Sequence, residues 1–284
     1  MILITGAGGN VGREVLKQVA QTGTRVRAAF QSSAKAASAP SGVEIVTVDY
    51  NRPETLRAAL KGVQSVFLVA PPTSGLPALE RKAVDEIKRS GSPHVVKLSA
   101  MGGRAAIFTR QHADSEDYIQ STGVSYTFLR PNGFMQNFVT YSGGSISTQG
   151  AFYGSQGDGK VSHVDIRDIA AVAVTVLTGD AHQGKTYTLT GPEALTNTRI
   201  AQILSDAAGH EIKYLNLTDD QFKQAALSAG VPEWNATAVT DLQRLYREGG
   251  ASEVTADVAR LLGRQPISFE QFARDHKEAF QRAA

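Results

Sequence analysis

Short apolar runs alternate with amphipathic stretches along the first half of the chain. The runs rich in Val, Ile, Leu and Phe predict strands at residues 2–5, 25–30, 43–48, 65–70, 94–99 and 125–130. Several are almost continuously apolar, as strands buried on both faces are. The stretch after the first run has one apolar helical face, made by Val11, Val15, Leu16 and Val19. This regular alternation predicts an α/β fold with a doubly wound parallel sheet and helices on both faces.

Three glycines follow the first predicted strand and open the first predicted helix. The sequence T-G-A-G-G-N-V-G places Gly6, Gly9 and Gly12 at intervals of three residues. Side chains at such positions would block the tight turn, the approach of a pyrophosphate or the packing of helix on strand. The helix N-terminus also offers free N–H groups and about half a positive charge to phosphate oxygens. The pattern predicts a Rossmann-type dinucleotide site whose loop also contains Gly8, Asn10 and Val11.

The second half is patterned differently. Residues 143–160 are rich in Gly and Ser and predict a loop with a short strand. Helix signals dominate after it, such as Thr218-x-x-Gln221, which fits a capping box. We therefore expect two parts in the chain. These are an NAD(P)-binding Rossmann domain over residues 1–145, to which 161–192 returns, and a smaller, mainly helical substrate or partner lobe over 146–284.

Composition excludes several classes of function. Lys plus Arg number 29 and Asp plus Glu 27, so the formal net charge of +2 gives no reason to expect nucleic acid or an anionic membrane as partner. The absence of cysteine excludes disulfides and cysteine-ligated metals, and the six histidines show no metal-ligand spacing, so no metal site is predicted. A strand that begins at Ile2 leaves no room for a secretory signal peptide, and we expect a cytoplasmic protein.

The glycine spacing resembles that of extended and atypical short-chain dehydrogenase/reductases. Further segments resemble the NmrA-like group, in its quinone-reductase and triphenylmethane-reductase branch: VFLVAPP (66–72), YTFLRPNGFMQN (126–137), VDIRDIAAVAVTVL (164–177) and LLGRQPISFEQFARDH (261–276). The group includes redox-sensing regulators, NADPH:quinone reductases and triphenylmethane dye reductases. The resemblance implies that the cofactor also contacts Asp49, Tyr50, Val69, Ala70, Pro71, Ser99, His112, Pro131, Gly133 and Phe134. Asp49 would lie beside the adenine; its alternative role is that of a turn residue.

The end of the second strand bears on the choice of cofactor. A carboxylate there would accept the ribose hydroxyls of NAD and repel a 2′-phosphate, and residues 28–37 contain none. Relatives that prefer NADP usually carry arginine where Gln31 stands, and a neutral amide gives up a charge-assisted hydrogen bond of about 1.5–3 kcal/mol. Ser32, Ser33 and Lys35 can still hold a phosphate, although Lys35 also fits a solvated helix face. We expect NADP(H) to be preferred, with use of NAD(H) left open.

The tyrosine–lysine pair of short-chain dehydrogenases is missing. Aligned through Glu116 and the strand that follows it, the positions of Tyr-x-x-x-Lys hold Phe108 and His112. Phenylalanine cannot donate a proton, and an unperturbed histidine with a pKa of about 6.5 is mostly neutral at pH 7. The pattern His112-x-x-x-Glu116 resembles the quinone- and dye-reductase branch. His112 is the candidate catalytic residue, with a structural role as the alternative, and we expect Glu116 to brace the helix.

These features favour an NAD(P)H-dependent reductase that transfers hydride to a quinone or similar conjugated acceptor. Such acceptors are already electrophilic and need close stacking on the nicotinamide more than a strong acid. An apolar slot for the acceptor is predicted from Phe134, Met135, Asn137 and Phe138, whose apolar members also suit core packing. A non-catalytic redox sensor with a protein partner is the main alternative, and a nucleotide-sugar epimerase a remote one. The predicted partner is a small-molecule acceptor, and the chain is expected to be a monomer or homodimer.

Overall fold

The computed structural model describes residues 1–36 and 39–282, of which the side chains of Ser33 and Ala34 are not described. Its described strands are β1 (Ile2–Ile4), β2 (Val26–Phe30), β3 (Glu44–Thr47), β4 (Ser65–Leu68), β5 (His94–Leu98), β6 (Tyr126–Pro131), β7 (Ala151–Gly154), β8 (Lys185–Leu189) and β9 (Lys213–Asn216). Its described α-helices are α1 (Asn10–Ala20), α2 (Pro53–Ala59), α3 (Leu76–Arg89), α4 (Ile107–Thr122), α5 (Asn137–Thr140), α6 (Gly143–Gln149), α7 (Ile166–Thr178), α8 (Asn197–Ala208), α9 (Asp219–Ser228), α10 (Glu233–Arg247), α11 (Asp257–Leu262) and α12 (Phe269–Asp275).

Seven strands form one sheet in the order β3-β2-β1-β4-β5-β6-β8. The pairings of β1 with β2 and β4, of β2 with β3, and of β5 with β4 and β6 are parallel. The strand order reverses at β1, whose two neighbours are the second and fourth strands in sequence. This reversal is the topological switch point of a doubly wound sheet, where ligands bind at the carboxyl ends of the strands. The predicted Rossmann-type α/β fold is confirmed.

The described residues form two compact units. The first comprises Met1–Ala100, Gln111–Arg130 and Ile166–Thr188. Helices α1 and α7 pack together in it, and α1 buries the predicted face of Val11, Val15, Leu16 and Val19. A core lines the sheet and includes Leu3, Val66, Leu68, Val95 and Phe128. Alternating strands and helices thus build this unit around a buried sheet.

The second unit comprises Met101–Arg110, Pro131–Asp165 and Leu189–Ala284. It is mainly helical, and its small parallel sheet pairs β7 with β9. Its core includes Met135, Phe138, Phe152, Phe269 and Phe272. A capping box starts α9, since the Thr218 side chain accepts from the Gln221 N–H and the Gln221 side chain reaches back, as predicted.

One expectation about the middle of the chain differs from the structure. Residues 143–149, expected in a loop, form helix α6, because Ile146 is buried and Gly150 ends the helix in the left-handed conformation at φ 66°. The chain leaves the first unit at Pro131, and the Asn132 side chain donates to Ser162 Oγ and the Ala251 carbonyl, both 2.8 Å away. It returns to the first unit at 166–188. The functional division into a nucleotide-binding domain and a substrate lobe stays a prediction.

Candidate functional site

The loop between β1 and α1 contains glycines that the fold requires and one that it does not. Gly6 has φ +61°, and a methyl group on Gly12 would lie 2.2 Å from the Gly6 carbonyl oxygen. The fold therefore requires both residues to be glycine. Gly9 has an ordinary φ of −84°, and a methyl group there would meet only the Gly6 oxygen, at 3.3 Å. The fold therefore does not itself require glycine at position 9, and the close approach of a diphosphate there stays a prediction.

The N-terminus of helix α1 has no side-chain cap. Gly9 is the N-cap, no side chain caps the helix, and no acidic residue stands in the first turn. The N–H groups of a first turn have no intrahelical partner and attract anions. Val11 is buried and Asn10 is exposed, so Val11 offers only its backbone. Arg13 Nη2 donates to the Gly8 carbonyl at 3.1 Å and adds a cation beside the loop. This cradle fits the diphosphate of a dinucleotide.

A lysine lies against the same loop. Lys35 is exposed, on a short 3₁₀ turn after β2, and a methyl group on Gly8 would lie 3.6 Å from Lys35 Cβ. Gln31 and Ser32, at the end of β2, are exposed as well. The predicted contribution of the Ser33 side chain lies outside the described residues. Lys35 is thus the described cation at the position where the sequence predicts the 2′-phosphate.

A cavity of about 270 Å³ opens at the carboxyl ends of β2 and β3. Its lining includes four of the predicted cofactor residues and is made by Gln31, Val48, Asp49, Tyr50, Asn51, Pro71 and Leu79. Asp49 Oδ1 accepts from the Asn51 N–H at 2.8 Å, so Asp49 does act as a turn residue. This hydrogen bond does not use the second carboxylate oxygen, Oδ2. The predicted adenine contact of Asp49 stays a prediction.

Val69 and Tyr50 brace the wall of this cavity. The Tyr50 hydroxyl donates to the Val69 carbonyl at 2.7 Å, and Thr5 Oγ1 donates to the same oxygen at 3.2 Å. The Val69 N–H donates to Thr5 Oγ1 at 2.8 Å. Burial raises the pKa of the Tyr50 hydroxyl, which therefore stays protonated. Both polar backbone groups of Val69 thus have partners within the protein, and the Pro71 carbonyl accepts from the Thr73 N–H at 2.9 Å. Ala70 is therefore the candidate for backbone contact with a ribose.

His112 lies in a buried group of charged residues. Its Nδ1 is 3.2 Å from Lys97 Nζ, and Lys97 Nζ is 2.7 Å from Glu80 Oε2. Lys97 and Glu80 are almost completely buried, and His112 is buried as well. Burial, and then the charge of Lys97, hold the pKa of His112 well below its usual value. His112 is therefore a neutral imidazole at pH 7.

Ser99, at the end of β5, belongs to a second buried group. Its hydroxyl donates to Glu116 Oε1 at 2.5 Å. Arg130 grips the same carboxylate, with Nε 3.0 Å from Oε1 and Nη2 bonded to Oε2. Glu116 therefore braces its surroundings, as expected, and its bond to Ser99 leaves the Ser99 oxygen free to act as an acceptor.

The predicted residues of the second unit fall into two groups. Met135 and Phe138 are buried in its core, and the Phe138 ring lies edge-on to Phe152 and Phe269 with centroids 5.4 and 5.2 Å apart. Their side chains pack within the unit, which agrees with the alternative role in the core, and their place in an acceptor slot stays a prediction. Phe134 is half-buried and bridges to Val164.

The remaining predicted residues of this unit differ in exposure. Asn137 is exposed, and Pro131 is buried as the last residue of β6. Gly133 packs against His163, whose Nδ1 would lie 2.7 Å from a methyl group at that position. The predicted cofactor contacts of Pro131, Gly133 and Phe134 stay predictions, and only Phe134 and Asn137 keep side chains available to a ligand.

Sequence reasoning missed Glu80, Lys97 and Arg130. One signal was present, since a lysine interrupts the apolar strand HVVKLS and an arginine closes the strand YTFLR. A long cation within a buried strand needs a buried partner. The partner of Lys97, which is Glu80, lies on helix α3, and no local sequence pattern indicates this pairing.

Comparison with known proteins places the chain in a family. A model described as the NmrA-like family matches residues 1–273. The chain belongs to the NmrA-like family. An NAD(P)H azoreductase of Xenophilus azovorans is 35% identical over 284 residues, which cover 99% of both chains.

Solved structures agree with this membership of the NmrA-like family. An NADPH-dependent quinone oxidoreductase of Escherichia coli, complexed with NADPH, superposes with a TM-score of 0.88 at 27% identity and covers 97% of this chain and 99% of its own. A triphenylmethane reductase of Citrobacter sp., complexed with NADP(H), gives a TM-score of 0.87 at 26% identity over 98% of this chain and 100% of its own. This chain is thus similar over its whole length to reductases of aromatic and quinonoid compounds.

Within residues 1–36 and 39–282, no helix combines the length and the apolar character needed to cross a lipid bilayer. In the same described stretches, His, Asp and Glu side chains form no group of three that could hold a metal ion.

Proposed function

We propose that this protein is an NAD(P)H-dependent reductase that passes a hydride to a quinone or to a similar conjugated acceptor such as an azo or cationic dye. The observation that carries the proposal is the glycine cradle before the uncapped helix α1, in a chain that matches reductases over its whole length. The same proposal places the activity in the cytoplasm, in a monomer or homodimer.

The chain's own residues would bind and orient the cofactor. The loop of Gly6, Gly9 and Gly12, with the N–H groups of α1, would hold the diphosphate. The cavity beside Asp49 would take the adenine, and Lys35 would neutralise a 2′-phosphate, which supports a preference for NADP(H) over NAD(H). When bound, the nicotinamide supplies the hydride.

The protonation states of the site support an acceptor that needs no strong acid. Phenylalanine stands at position 108, and His112 is neutral because burial and Lys97 lower its pKa. The Ser99 hydroxyl is committed to Glu116. Quinones and conjugated cations accept hydride directly and can take a proton from water afterwards, so positioning replaces acid catalysis. Phe134 and Asn137 are the proposed acceptor contacts of the second unit.

The test is turnover with a panel of acceptors. Purified protein is mixed with NADPH or NADH and with quinones, azo dyes or cationic triphenylmethane dyes, and loss of the near-ultraviolet absorbance of the reduced nicotinamide is followed. We expect oxidation of NADPH with at least one class of acceptor and a lower KM for NADPH than for NADH. The variant Gly9→Ala is the matched control for cofactor-dependent turnover. Tight binding of NADPH without oxidation by any acceptor would overturn the reductase and favour the redox sensor.

A further inference from the structure

Lys97 is a fully buried cation with three acceptors around it. It stands in β5, and its side chain has no exposure to solvent. Its ammonium lies 2.7 Å from Glu80 Oε2, 3.2 Å from His112 Nδ1 and 3.3 Å from the Leu98 carbonyl. An ammonium has three N–H donors and no lone pair. Lys97 thus forms hydrogen bonds with His112 and the Leu98 carbonyl, and Glu80 faces the ammonium as an ion-pair partner within the first unit.

This arrangement decides which nitrogen of His112 carries its proton. Because an ammonium can only donate, the His112 Nδ1 next to it must be the acceptor. A neutral imidazole that accepts at Nδ1 carries its hydrogen on Nε2. The carboxylate of Glu80, on α3, holds the ammonium from its other side and stabilises its charge. Glu116, the next carboxylate along the face of α4, is bonded to Ser99 and Arg130, so Lys97 is the charged group that acts on His112.

We propose that the Glu80–Lys97 pair is a positioning device that locks His112 in the neutral form protonated at Nε2, so that His112 serves the reductase as a permanent hydrogen-bond donor and not as an acid. The role in the reductase rests on the proposed function. By resemblance, position 112 is that of the lysine in Tyr-x-x-x-Lys, which can only donate. Lys97 acts on His112 from behind and makes its Nε2 a donor, as the lysine of that motif would be. The oxygen that accepts the hydrogen bond from Nε2 is that of a cofactor hydroxyl or carbonyl.

The first test reads the tautomer directly and needs no turnover. Histidine labelled with ¹⁵N in both ring nitrogens is incorporated into the full chain, and the His112 signals are assigned by their loss in His112→Gln. We expect a bare Nδ1, a protonated Nε2 and no imidazolium between about pH 5 and pH 8, the range in which an unperturbed histidine changes charge. A proton on Nδ1, or an imidazolium at pH 6, would overturn the proposal even if the protein proves to be an active reductase.

The second test removes the device. Lys97→Met alone leaves Glu80 buried without a partner, so it is paired with the double variant Glu80→Leu/Lys97→Met, because an apolar pair often replaces a buried ion pair without loss of stability. We expect a flat pH profile of kcat/KM in the parent, and in the double variant some proton on Nδ1 and a new ionisation in that profile. A profile that stays flat in a folded double variant, with the tautomer unchanged, would show that the pair is structural only.

The third test addresses the donor itself. His112→Gln keeps an N–H donor, and His112→Phe keeps the ring shape without one. We expect His112→Phe to weaken NADPH binding about tenfold, the effect of one lost hydrogen bond, and His112→Gln to restore binding to within a few-fold of the parent. Equal binding of NADPH by the parent and both variants would refute the donor role, while leaving the proposed hydride transfer to be judged by the acceptor panel.

Discussion

Replacing Gly9 by alanine separates the need of the fold for glycine from the need of the ligand. The backbone at Gly9 has φ −84° and ψ 170°, and the added methyl would meet only one atom, the Gly6 oxygen at 3.3 Å. The same change at Gly12 would put the methyl 2.2 Å from that oxygen. Contact distances near 3.5 Å then require the helix to retreat by about 1 Å. Gly12→Ala therefore strains the packing of α1 on the loop, whereas Gly9→Ala leaves the fold almost unstrained.

The expected magnitudes follow from this difference. Gly9→Ala should change the free energy of unfolding by about 1 kcal/mol or less, since alanine adopts this backbone conformation freely. Gly12→Ala should lower it by about 1–3 kcal/mol or more, as overpacking does. On the proposed function, a methyl at position 9 would occupy the space of the diphosphate, and the loss of one charge-assisted hydrogen bond, about 1.5–3 kcal/mol, should raise the Kd for NADPH by about ten- to a hundredfold.

The assay is calorimetric titration with NADPH together with denaturant unfolding of the parent and both variants. Gly12→Ala is the structural control, since its loss of binding should accompany a loss of stability. A Gly9→Ala variant that is as stable as the parent and binds NADPH equally well would refute the assignment of this loop to the diphosphate.

Three further predictions concern stability, cofactor choice and the acceptor. Burial lowers the pKa of His163 from 6.5 to about 4. The unfolded chain therefore binds the extra proton between these values, and stability should fall by about 2 kcal/mol from pH 7 to pH 5. This fall should be absent in His163→Gln, and an equal fall in both proteins would contradict it. Gln31→Arg should tighten NADPH about tenfold and leave NADH unchanged, whereas Lys35→Met should weaken NADPH alone; titrations with both nucleotides decide. Phe134→Ala should raise KM for the acceptor several-fold without changing KM for NADPH, and steady-state kinetics would show the reverse if Phe134 only holds the fold.

The sequence predicts the fold of the loop between β1 and α1 well because its signals are local. A strand, a tight glycine turn and a helix start follow one another within residues 2–15, and each is specified by its own residues. The capping box at Thr218 and Gln221 is equally local, and it forms as expected. Where a few neighbouring residues decide the conformation, the pattern is sufficient.

Tertiary contacts decide the elements that the pattern missed. Residues 143–149 have poor helix formers, yet α6 forms because Ile146 finds a buried position. Met135 and Phe138 have the composition of an acceptor slot, and only packing shows that they belong to a core. The pairing of Lys97 with Glu80 joins a strand to a separate helix. Composition indicates that such residues are buried, but their partners depend on the folded chain.

The return of α7 to the first unit has a consequence for how the chain folds during its synthesis. Helix α7 packs on α1, although α5, α6 and β7 lie between β6 and α7 in the sequence. The apolar face that α1 shows to α7 stays uncovered until the ribosome has released the chain beyond residue 178. A nascent chain that ends at residue 145 should therefore remain vulnerable to proteases and chaperones, and protection should come only once α7 has emerged.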